Sequence, residues 1–592
     1  MSAFERMQEG GFSALDLALA ESFESIWPDS DASALQLAAL ASWAVGQGHS
    51  CFSTALLADW PSGDAGERFA AIRADAWPVA PFIGDPASGL PIVVDGPHAW
   101  LRRYWTYERE IEVSLQQRSM PYATLPDAEA VRVTLDRLLP PTDPGETDWQ
   151  RIAAVNALRA PLTVICGGPG TGKTYTALRV LALIQSFSEL PLRMGLAAPT
   201  GKAAQRLGES VRQGLEALPL SDAEKAALPD ATMTVHRLLG MRPQSVSPRF
   251  DASRPLDLDV LVVDECSMLD LPLMAKLLRA LKPGCRLILL GDPDQLPAVE
   301  NGAVLATVAA CNPDNRFSAA LAPWMGAASS AEIMQRTAAN TIGERVVRLE
   351  RPRRFGGDSG IARLVRAIRA GDAAGVFEAL SDSVDILWNQ QPLRFDSPEV
   401  RVAVREAWQP LQKAETPEAA LQALDRYRIL SAMREGPHGV TGLNQAVAQV
   451  LHGAQANNPH LPGRPILVTS NQPALGLYNG DVGVLLSERP DAPLRAWFSR
   501  RDGGVLALLP AQLPAHQSAW AMTVHKAQGS EFDRVELVLP SEPHPLLSRE
   551  WLYTAASRAR KQLIMHASRE VISAALGQRT RRINGLNFVD PA

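Results

Sequence analysis

Residues 167–174 read GGPGTGKT, a glycine-rich loop that ends in Lys-Thr and fits the pattern G-x-x-x-x-G-K-[ST]. An apolar segment at 162–166 precedes the loop, and a helical pattern at 175–187 follows it. A strand that turns through glycines into a helix presents backbone N–H groups and the positive end of the helix dipole to phosphates. This context restricts the surrounding chain to an α/β fold with a phosphate site at one edge of a sheet.

The side chains of this loop indicate which ligand it binds. Lys173 can reach the β- and γ-phosphates of a nucleotide, and the Thr174 hydroxyl can ligate Mg²⁺. We therefore predict that ATP binds here together with Mg²⁺. The predicted phosphate-binding residues are Gly167, Gly168, Pro169, Gly170, Thr171, Gly172, Lys173 and Thr174.

Two acids further along the chain complete the pattern of a nucleotide-processing site. Four apolar residues at 260–263 form a predicted strand, and Asp264 and Glu265 follow it directly. Asp264 is placed to hold Mg²⁺ through water, and Glu265 could polarise the attacking water. Together with Lys173, these acids predict a Mg²⁺-dependent nucleotide hydrolase or a kinase, and the residues considered so far do not decide between the two.

Apolar strands that alternate with helices organise the chain beyond residue 147. The predicted strands are 162–166, 194–198, 260–263 and 286–290, with helices at 175–187 and 201–215. This alternation predicts a parallel, doubly wound sheet. A second block of the same kind begins near residue 356 and returns at 520–566. Between its two parts, about 460–515 is rich in Pro, Gly and short strands and predicts a small β insertion.

The first part of the chain has a different character. Residues 1–110 read mainly as helix, and 111–147 as a linker, because 139–145 contain three prolines and a glycine. We place the two α/β domains at 148–355 and 356–592. Residues before 149 carry 22 acidic and 9 basic side chains, whereas the remainder carries 42 acidic and 49 basic ones. This asymmetry fits either two surfaces with different partners or a solvated acidic domain.

Composition excludes several other classes of protein. No apolar run approaches the roughly 18 residues of a membrane span, and the N-terminus lacks the pattern of a signal peptide. The 5 cysteines are scattered, with no C-x-x-C pair, so a zinc site or a disulfide framework is not expected. We expect a cytoplasmic protein with no membrane partner.

Further segments resemble, in order, the motifs of superfamily 1 DNA helicases, in the branch that contains RecD. Gln150, just upstream of the phosphate loop, matches the family's adenine-reading Gln. The segment GDPDQLP at 291–297 resembles motif III, which implies that Gln295 senses the γ-phosphate. RRF at 353–355 resembles motif IV, and YTAASRA at 553–559 resembles motif VI. The implied arginine fingers, which would neutralise charge on the transferring phosphoryl group, are Arg354 and Arg558, with Arg351 and Arg353 as alternatives to Arg354.

Three other segments resemble the motifs with which this family contacts DNA. They are APTGKAA at 198–204, which resembles motif Ia, TVHRLL at 234–239, and TVHKAQGSEF at 523–532, which resembles motif V. For His525, a purely structural role remains an alternative. The predicted DNA-facing residues are Thr200, Lys202, His236, Thr523 and His525.

The segments at 428–440 and 479–483 resemble sequences typical of RecD, the alpha subunit of the RecBCD enzyme (exodeoxyribonuclease V). This resemblance implies two RecA-like P-loop NTPase domains with a small SH3-like β insertion, preceded by a mainly helical N-terminal domain that docks on RecC. It also implies 5′→3′ translocation on single-stranded DNA, entry at ends of double-stranded DNA, and RecB and RecC as partners in double-strand break repair and homologous recombination.

Other functions fit the sequence less well. None of the 8 lysines has an acid two positions before it, so one common metal-nuclease arrangement is absent from this chain. A stand-alone 5′→3′ DNA helicase of the same branch is the main alternative. A P-loop NTPase of another class, such as a kinase, would leave the resemblance to motifs V and VI unexplained.

Overall fold

A computed structural model describes residues 11–60, 69–141, 147–242, 245, 247–336, 340–350, 359–489, 492–500 and 504–588. In these ranges no helix is both long and apolar enough to cross a membrane. Nor do three or more His, Cys, Asp or Glu side chains of the described residues converge on a possible metal site.

In its described residues, the front domain at 11–119 combines three α-helices with a small sheet. The helices are α1 (Ala14–Ile26), α2 (Ala32–Gly46) and α3 (Arg102–Ser119). The sheet has the order β1-β4-β3-β2, with β1 at Phe52–Ser53, β2 at Ile83–Gly84, β3 at Ile92–Asp95 and β4 at His98–Leu101. Strands of two to four residues leave too short an alternation to be recognised in a sequence that otherwise favours helix.

The structure corrects the predicted linker at 111–147, because two helices occupy most of it. The second half of α3 lies there, followed by α4 (Ala128–Leu138). In α4, Val131 and Leu135 are one helical turn apart and both are fully buried against the first α/β lobe. The proline-rich segment therefore marks only the end of this region, and its residues 142–146 lie outside the described ranges.

Lobe 1, residues 147–350, is built on a six-stranded parallel sheet of order β12-β5-β9-β8-β6-β7. Its strands, with a separate pair β10 and β11, are β5 (Leu162–Gly167), β6 (Met194–Ala198), β7 (Thr232–Thr234), β8 (Val260–Val263), β9 (Arg286–Gly291), β10 (Phe317–Ser318), β11 (Gln335–Arg336) and β12 (Val346–Leu349). Its helices are α5 (Trp149–Asn156), α6 (Lys173–Ser186), α7 (Gly201–Glu216), α8 (Asp222–Ala226), α9 (Val235–Leu238), α10 (Leu271–Ala280), α11 (Val304–Ala309) and α12 (Ala322–Ser329). Separate apolar clusters cover the two faces of the sheet, as a doubly wound fold requires.

Lobe 2, described from residue 359 onward, has a five-stranded parallel sheet of order β13-β22-β21-β14-β20. An antiparallel sheet of order β18-β17-β16-β15-β19 interrupts it. The strands are β13 (Ile386–Asn389), β14 (Tyr427–Ser431), β15 (Pro465–Val468), β16 (Val482–Leu486), β17 (Arg495–Ser499), β18 (Val505–Leu508), β19 (His516–Ser518), β20 (Ala521–Thr523), β21 (Phe532–Val538) and β22 (Ala559–His566). The helices are α13 (Gly360–Ala370), α14 (Ala373–Asp382), α15 (Pro398–Gln412), α16 (Pro417–Leu424), α17 (Val440–His452), α18 (Val524–Ala527), α19 (Arg549–Ala556) and α20 (Arg569–Gly577). The predicted fold class, two α/β blocks with a β insertion, is confirmed.

After α20 the chain runs back across the molecule to the front domain. The backbone N–H of Ser50 donates to Ile583 O at 3.0 Å, and the buried Glu108 carboxylate accepts the N–H of Gly585 at 3.1 Å. Leu586 and Phe588 join the apolar cluster between α3 and lobe 1. The C-terminal segment thus ties the end of lobe 2 to the front domain and to lobe 1.

Candidate ATP site and DNA-facing surface

The phosphate loop at 167–174 starts at the carboxyl end of β5 and enters the first turn of α6. Gly172 has a φ of 85°, in the left-handed region where a side chain would add strain. Lys173 Nζ donates to the carbonyl oxygens of Gly167 and Gly168, at 2.6 and 3.1 Å. The ammonium group therefore lies against the loop backbone, at the position where the sequence places phosphate binding.

The two predicted acids lie across from this loop at the end of β8. The Thr174 hydroxyl donates to Asp264 Oδ2 at 3.3 Å, so the two predicted Mg²⁺ ligands face each other. Asp264 Oδ1 accepts the N–H of Glu265 at 2.8 Å. Glu265 has a φ of 54°, an unfavourable conformation for a residue with a side chain, and such strain is concentrated at functional sites.

Burial controls the charge state of both acids. It raises the pKa of Asp264 and of Glu265, and the negative charge of Asp264 raises the pKa of Glu265 further. The Lys173 ammonium opposes both shifts, and the Arg558 guanidinium of lobe 2 also lowers the pKa of Glu265. Cations from both lobes, Lys173 and Arg558, thus favour the ionised form of Glu265.

Gln150 lies beside the phosphate loop, at the start of α5. Its side chain is buried, and Nε2 donates to Thr171 O at 3.1 Å. A Cβ at position 172 would stand 2.5 Å from Nε2, so the close approach of this amide is a second reason for glycine there. Gln150 Oε1 is buried and has no hydrogen-bond partner among the described residues. A free buried acceptor is suited to a ligand donor such as an adenine amino group.

Gln295 lies in the loop after β9, where Asp292 accepts two hydrogen bonds on the same oxygen. Gln295 Nε2 donates to Asp292 Oδ2 at 2.9 Å, and the Tyr553 hydroxyl of α19 donates to the same atom at 2.9 Å. Burial and the Asp292 charge raise the pKa of Tyr553 well above its usual range. A Cβ on Gly168 would be 2.7 Å from the Tyr553 hydroxyl, so this contact between the lobes abuts the phosphate loop.

Of the two predicted arginine fingers, the structure describes Arg558 and not Arg354. Arg354, like its alternatives Arg351 and Arg353, lies outside the described residues. Arg558 is almost fully buried between α19 and β22, and its guanidinium donates to Thr554 O at 3.0 Å and to Ser530 O at 3.1 Å. In this state of the protein, lobe 2 holds the Arg558 side chain through its own carbonyl groups.

Sequence reasoning missed two arginines that face the phosphate loop from lobe 2. Arg366 and Arg369 of α13 line the cleft together with Gly168, Thr171 and Tyr553. Their spacing of three residues places both on one face of the helix, and this spacing is the feature of the sequence that could have identified them as a pair. Nothing in the local sequence identified the surface that this face would meet.

In each of the three segments predicted to face DNA, a threonine caps the helix that follows a β-strand. Thr200 accepts the N–H of Ala203 at 3.2 Å at the start of α7. Thr523 accepts the N–H of Lys526 at 3.3 Å at the start of α18. Thr234 caps α9 in the same way, although it was not among the predicted DNA-facing residues. A helix N-terminus offers backbone N–H groups to a phosphate, so these caps suit a nucleic-acid backbone.

Two of these caps belong to a structural unit that occurs once in each lobe. The segments 234–237 and 523–526 read TVHR and TVHK, and each joins a three-residue edge strand to a helix of four residues. In both, the valine is fully buried and the histidine, His236 or His525, is exposed. Desolvation and nearby cations lower the pKa of each histidine, which favours a neutral ring at pH 7.

Lys202 lies in a more enclosed position than the sequence indicated. It is half-buried, its Nζ is 5.8 Å from the centre of the Phe532 ring of lobe 2, and burial lowers its pKa to about 7. The neighbouring Arg206 donates to Glu531 O of lobe 2 at 3.3 Å. Lys202 therefore lies at the boundary between the lobes, and a contact between this side chain and DNA stays a prediction.

Three protein-family models match successive parts of the chain. The model of the RecBCD enzyme subunit RecD, N-terminal domain, matches residues 8–92. An AAA domain model matches residues 150–301, which include the phosphate loop and the acid pair. A UvrD-like helicase C-terminal domain model matches residues 518–566, which include α18 and α19.

Curated relatives match over most of the chain. The RecBCD enzyme subunit RecD of Haemophilus influenzae is 33% identical over 93% of this chain and 92% of its own length. The subunit of the same name from Mycobacterium tuberculosis is 35% identical over 98% of this chain and 95% of its own length. The ATP-dependent RecD2 DNA helicase of Deinococcus radiodurans is 31% identical, but the match covers 72% of this chain and 50% of that protein. The chain therefore belongs to the RecD family of RecBCD enzyme subunits.

Proposed function

We propose that this chain is the ATP-driven helicase subunit of a cytoplasmic RecBCD-type helicase–nuclease and moves 5′→3′ along single-stranded DNA. It would act with RecB and RecC at ends of double-stranded DNA, in double-strand break repair and homologous recombination. The observation that carries the proposal is the position of the ATP site. The phosphate loop of lobe 1 faces Arg366, Arg369 and Tyr553 of lobe 2, while each lobe carries its own Thr-Val-His unit.

The residues at the phosphate loop fit ATP with Mg²⁺. Thr174 and Asp264 offer two hard oxygen ligands that face each other, which suits a cation that keeps most of its water and binds phosphate oxygens. Bound Mg²⁺ would supply charge neutralisation on the β- and γ-phosphates. Gln150 Oε1, which has no hydrogen-bond partner among the described residues, would accept a hydrogen bond from the adenine amino group. We therefore assign ATP binding to Gln150 and the loop at 167–174.

Hydrolysis would depend on residues from both lobes. Lys173 would leave the carbonyl groups of its own loop and bind the β- and γ-phosphates. Glu265 would orient the attacking water and accept its proton, and Gln295 would report the presence of the γ-phosphate. Arg558 would exchange its contacts within lobe 2 for the phosphoryl group when the cleft closes.

The paired Thr-Val-His units explain how closure could move DNA. One unit follows the edge β-strand of each sheet. A single-stranded DNA that crosses both lobes would therefore be held at two points. Closing the cleft would bring those points together, and opening it would separate them. If the lobes grip alternately, each cycle of ATP hydrolysis produces one step along the strand.

The first experiment measures unwinding of duplexes that carry either a 5′ or a 3′ single-stranded tail. The full chain, alone and assembled with RecB and RecC, is supplied with ATP and Mg²⁺. Within the assembly, Lys173→Gln isolates the contribution of this chain. We expect 5′-tailed unwinding that the substitution removes. Unwinding from the 3′ tail that depends on Lys173 would contradict the proposed polarity, and no Lys173-dependent unwinding from either tail would contradict the helicase assignment.

The two exposed histidines provide a test of the DNA-facing surface. We expect His236→Ala and His525→Ala each to raise the Kd for a single-stranded oligonucleotide about fivefold to tenfold, which corresponds to about 1 kcal/mol per lost contact. Fluorescence anisotropy with a labelled oligonucleotide measures this Kd. His460→Ala, which changes an exposed histidine outside the two units, serves as the control. Loss of affinity in only one of the two variants would contradict a grip shared by both lobes.

A stand-alone 5′→3′ helicase of the same branch remains the second candidate. The match to the RecD2 helicase supports it, although that match spans half of the relative's length. Full unwinding by the lone chain, with no increase on addition of RecB and RecC, would favour this candidate over the subunit.

A further inference from the structure

A second cavity, of about 410 Å³, lies next to the ATP cleft. Its walls come from the loop after β9, from α11 of lobe 1, from α13 and α19 of lobe 2, and from residues 579–584 of the C-terminal segment. Arg369 and Tyr553 line both this cavity and the cleft at the phosphate loop. Gln295, the proposed γ-phosphate sensor, lines the cavity as well. The two spaces therefore share a wall beside the phosphate loop.

Positive charge predominates in this second space, which we call the arginine cavity. Its arginines outnumber its acids by two, and its charged lining residues are Arg369, Arg549, Arg579, Arg582, Asp294 and Glu550. A cleft lined by an excess of one charge concentrates ions of the opposite sign. Guanidinium groups also present planar N–H donors that match the oxygens of a phosphate. The lining is therefore suited to a small anion with several oxygens.

Both acids are already engaged by the wall of the arginine cavity. Asp294 Oδ2 lies 3.6 Å from Arg369 Nε, and Glu550 Oε2 accepts the N–H of Thr580 at 2.8 Å. Burial raises the pKa of Asp294, and the charges of Arg369 and Arg579 oppose this shift. Among the described residues, the three arginines other than Arg369 form no ion pair with a carboxylate. The acids thus leave most of the positive charge uncompensated.

The hydrogen bonds of the other arginines leave that charge in place, because they go to neutral carbonyl groups. Arg549 Nε donates to Leu576 O at 3.1 Å. Arg582 donates to Gln47 O at 2.6 Å, while its Nε is buried with no hydrogen-bond partner among the described residues. Arg579 lines the cavity and is exposed to solvent. An anion in the cavity would supply both the missing negative charge and the missing acceptors.

We propose that the arginine cavity binds the inorganic phosphate that ATP hydrolysis releases and provides its route out of the cleft. This inference rests on the proposed function and adds a product site to it. Hydrolysis would leave ADP on the phosphate loop, between the cleaved phosphate and the adenine end of the site at Gln150. On the other side stands the wall formed by Arg369 and Tyr553. Displacement of these two side chains opens a path along the arginines, so the phosphate leaves while ADP is still bound.

Binding is measured with monofluorophosphate, a phosphate analogue whose fluorine NMR signal broadens when a protein holds it. The full chain is first saturated with Mg²⁺ and the non-hydrolysable analogue AMP-PNP, which fills the γ-phosphate position. We expect inorganic phosphate to compete, and Arg579→Glu to raise the Kd at least about fivefold. Arg579→Lys keeps the charge and should stay within about twofold of the unmodified chain. Arg401→Glu, the same reversal at an exposed position on α15, should leave the Kd unchanged.

Release is measured in a single turnover of ATP with single-stranded DNA present. Chemical quench follows the hydrolysis step, and a fluorescent phosphate-binding protein follows the phosphate that reaches solution. We expect Arg579→Glu to slow release about threefold to tenfold and to leave hydrolysis within about twofold, because Arg579 lines the cavity and not the ATP cleft. Arg579→Lys and Arg401→Glu should follow the unmodified chain.

Contrary results would bear either on the cavity or on the proposed function itself. The cavity assignment would be overturned by equal weakening in Arg579→Glu and Arg401→Glu, or by displacement of monofluorophosphate by an oligonucleotide, which would place DNA there. Unchanged or faster release in Arg579→Glu would exclude the cavity as the route. Failure of the unmodified chain to bind AMP-PNP or hydrolyse ATP would instead overturn the proposed function. Binding of monofluorophosphate that depends on Arg579 would still identify an anion site in that case.

Discussion

Replacing Lys173 with Gln is expected to abolish ATP hydrolysis while the fold survives. The ammonium group is the one cation that the phosphate loop itself supplies, and Gln cannot replace its charge at the β- and γ-phosphates. Loss of one such electrostatic contact typically costs about 10²- to 10³-fold in rate, or about 3–4 kcal/mol. We therefore expect DNA-stimulated release of inorganic phosphate to fall at least about 100-fold. A coupled phosphate-release assay measures it.

The control for this substitution is Lys413→Gln, which makes the same chemical change at an exposed position after α15. It should hydrolyse ATP at the rate of the unmodified chain. Circular dichroism and the thermal midpoint should show that the Lys173 variant stays folded, since the hydrogen bonds of its ammonium group to described residues go to loop carbonyls at the surface of the cleft and not to the core. Near-normal turnover in Lys173→Gln would rule out the phosphate loop as the site of hydrolysis.

Regular, continuous elements of the fold were predictable from the sequence. The strands predicted at 194–198 and 260–263 are β6 and β8 at those bounds, because a buried parallel strand leaves an uninterrupted apolar run. The front-domain sheet could not be read in the same way, since its strand at 52–53 pairs with one at 98–101. Such pairing depends on contacts across the fold rather than on local pattern. The return of the C-terminal segment to Ser50 and Glu108 is equally invisible in the local sequence.

The candidate site shows the same division between local and long-range information. Lys173, Thr174 and Asp264 meet because parallel strands end at one edge of the sheet, which the strand–loop–helix order already requires. The Tyr553–Asp292 hydrogen bond joins residues 261 positions apart and depends on how the two lobes meet. For Lys202 the motif predicted a DNA-facing side chain; tertiary contacts place it half-buried at the lobe boundary, and its contact with DNA stays a prediction.

Replacing Glu265 with Gln is expected to separate ATP binding from ATP hydrolysis. The amide keeps the size of the carboxyl group but cannot accept the proton of the attacking water, so turnover should fall about 10²- to 10⁴-fold. Binding of ATP should persist, because Lys173 and Thr174 are unchanged. Turnover is measured by phosphate release and binding by a fluorescent ATP analogue. Parallel loss of binding and turnover would show that Glu265 holds the nucleotide rather than activating water.

The pH dependence of turnover gives the same assignment an independent test. Burial and the charge of Asp264 raise the pKa of Glu265, and a general base works only when it is ionised. The rate of the unmodified chain should therefore decline on acidification at a higher pH than an exposed glutamate, with its pKa of about 4.3, would produce. In Glu265→Gln the residual rate should lack this decline, whereas Glu189→Gln, at an exposed position after α6, should retain it. An unshifted acid limb in the unmodified chain would contradict Glu265 as the base, because burial and the Asp264 charge raise its pKa.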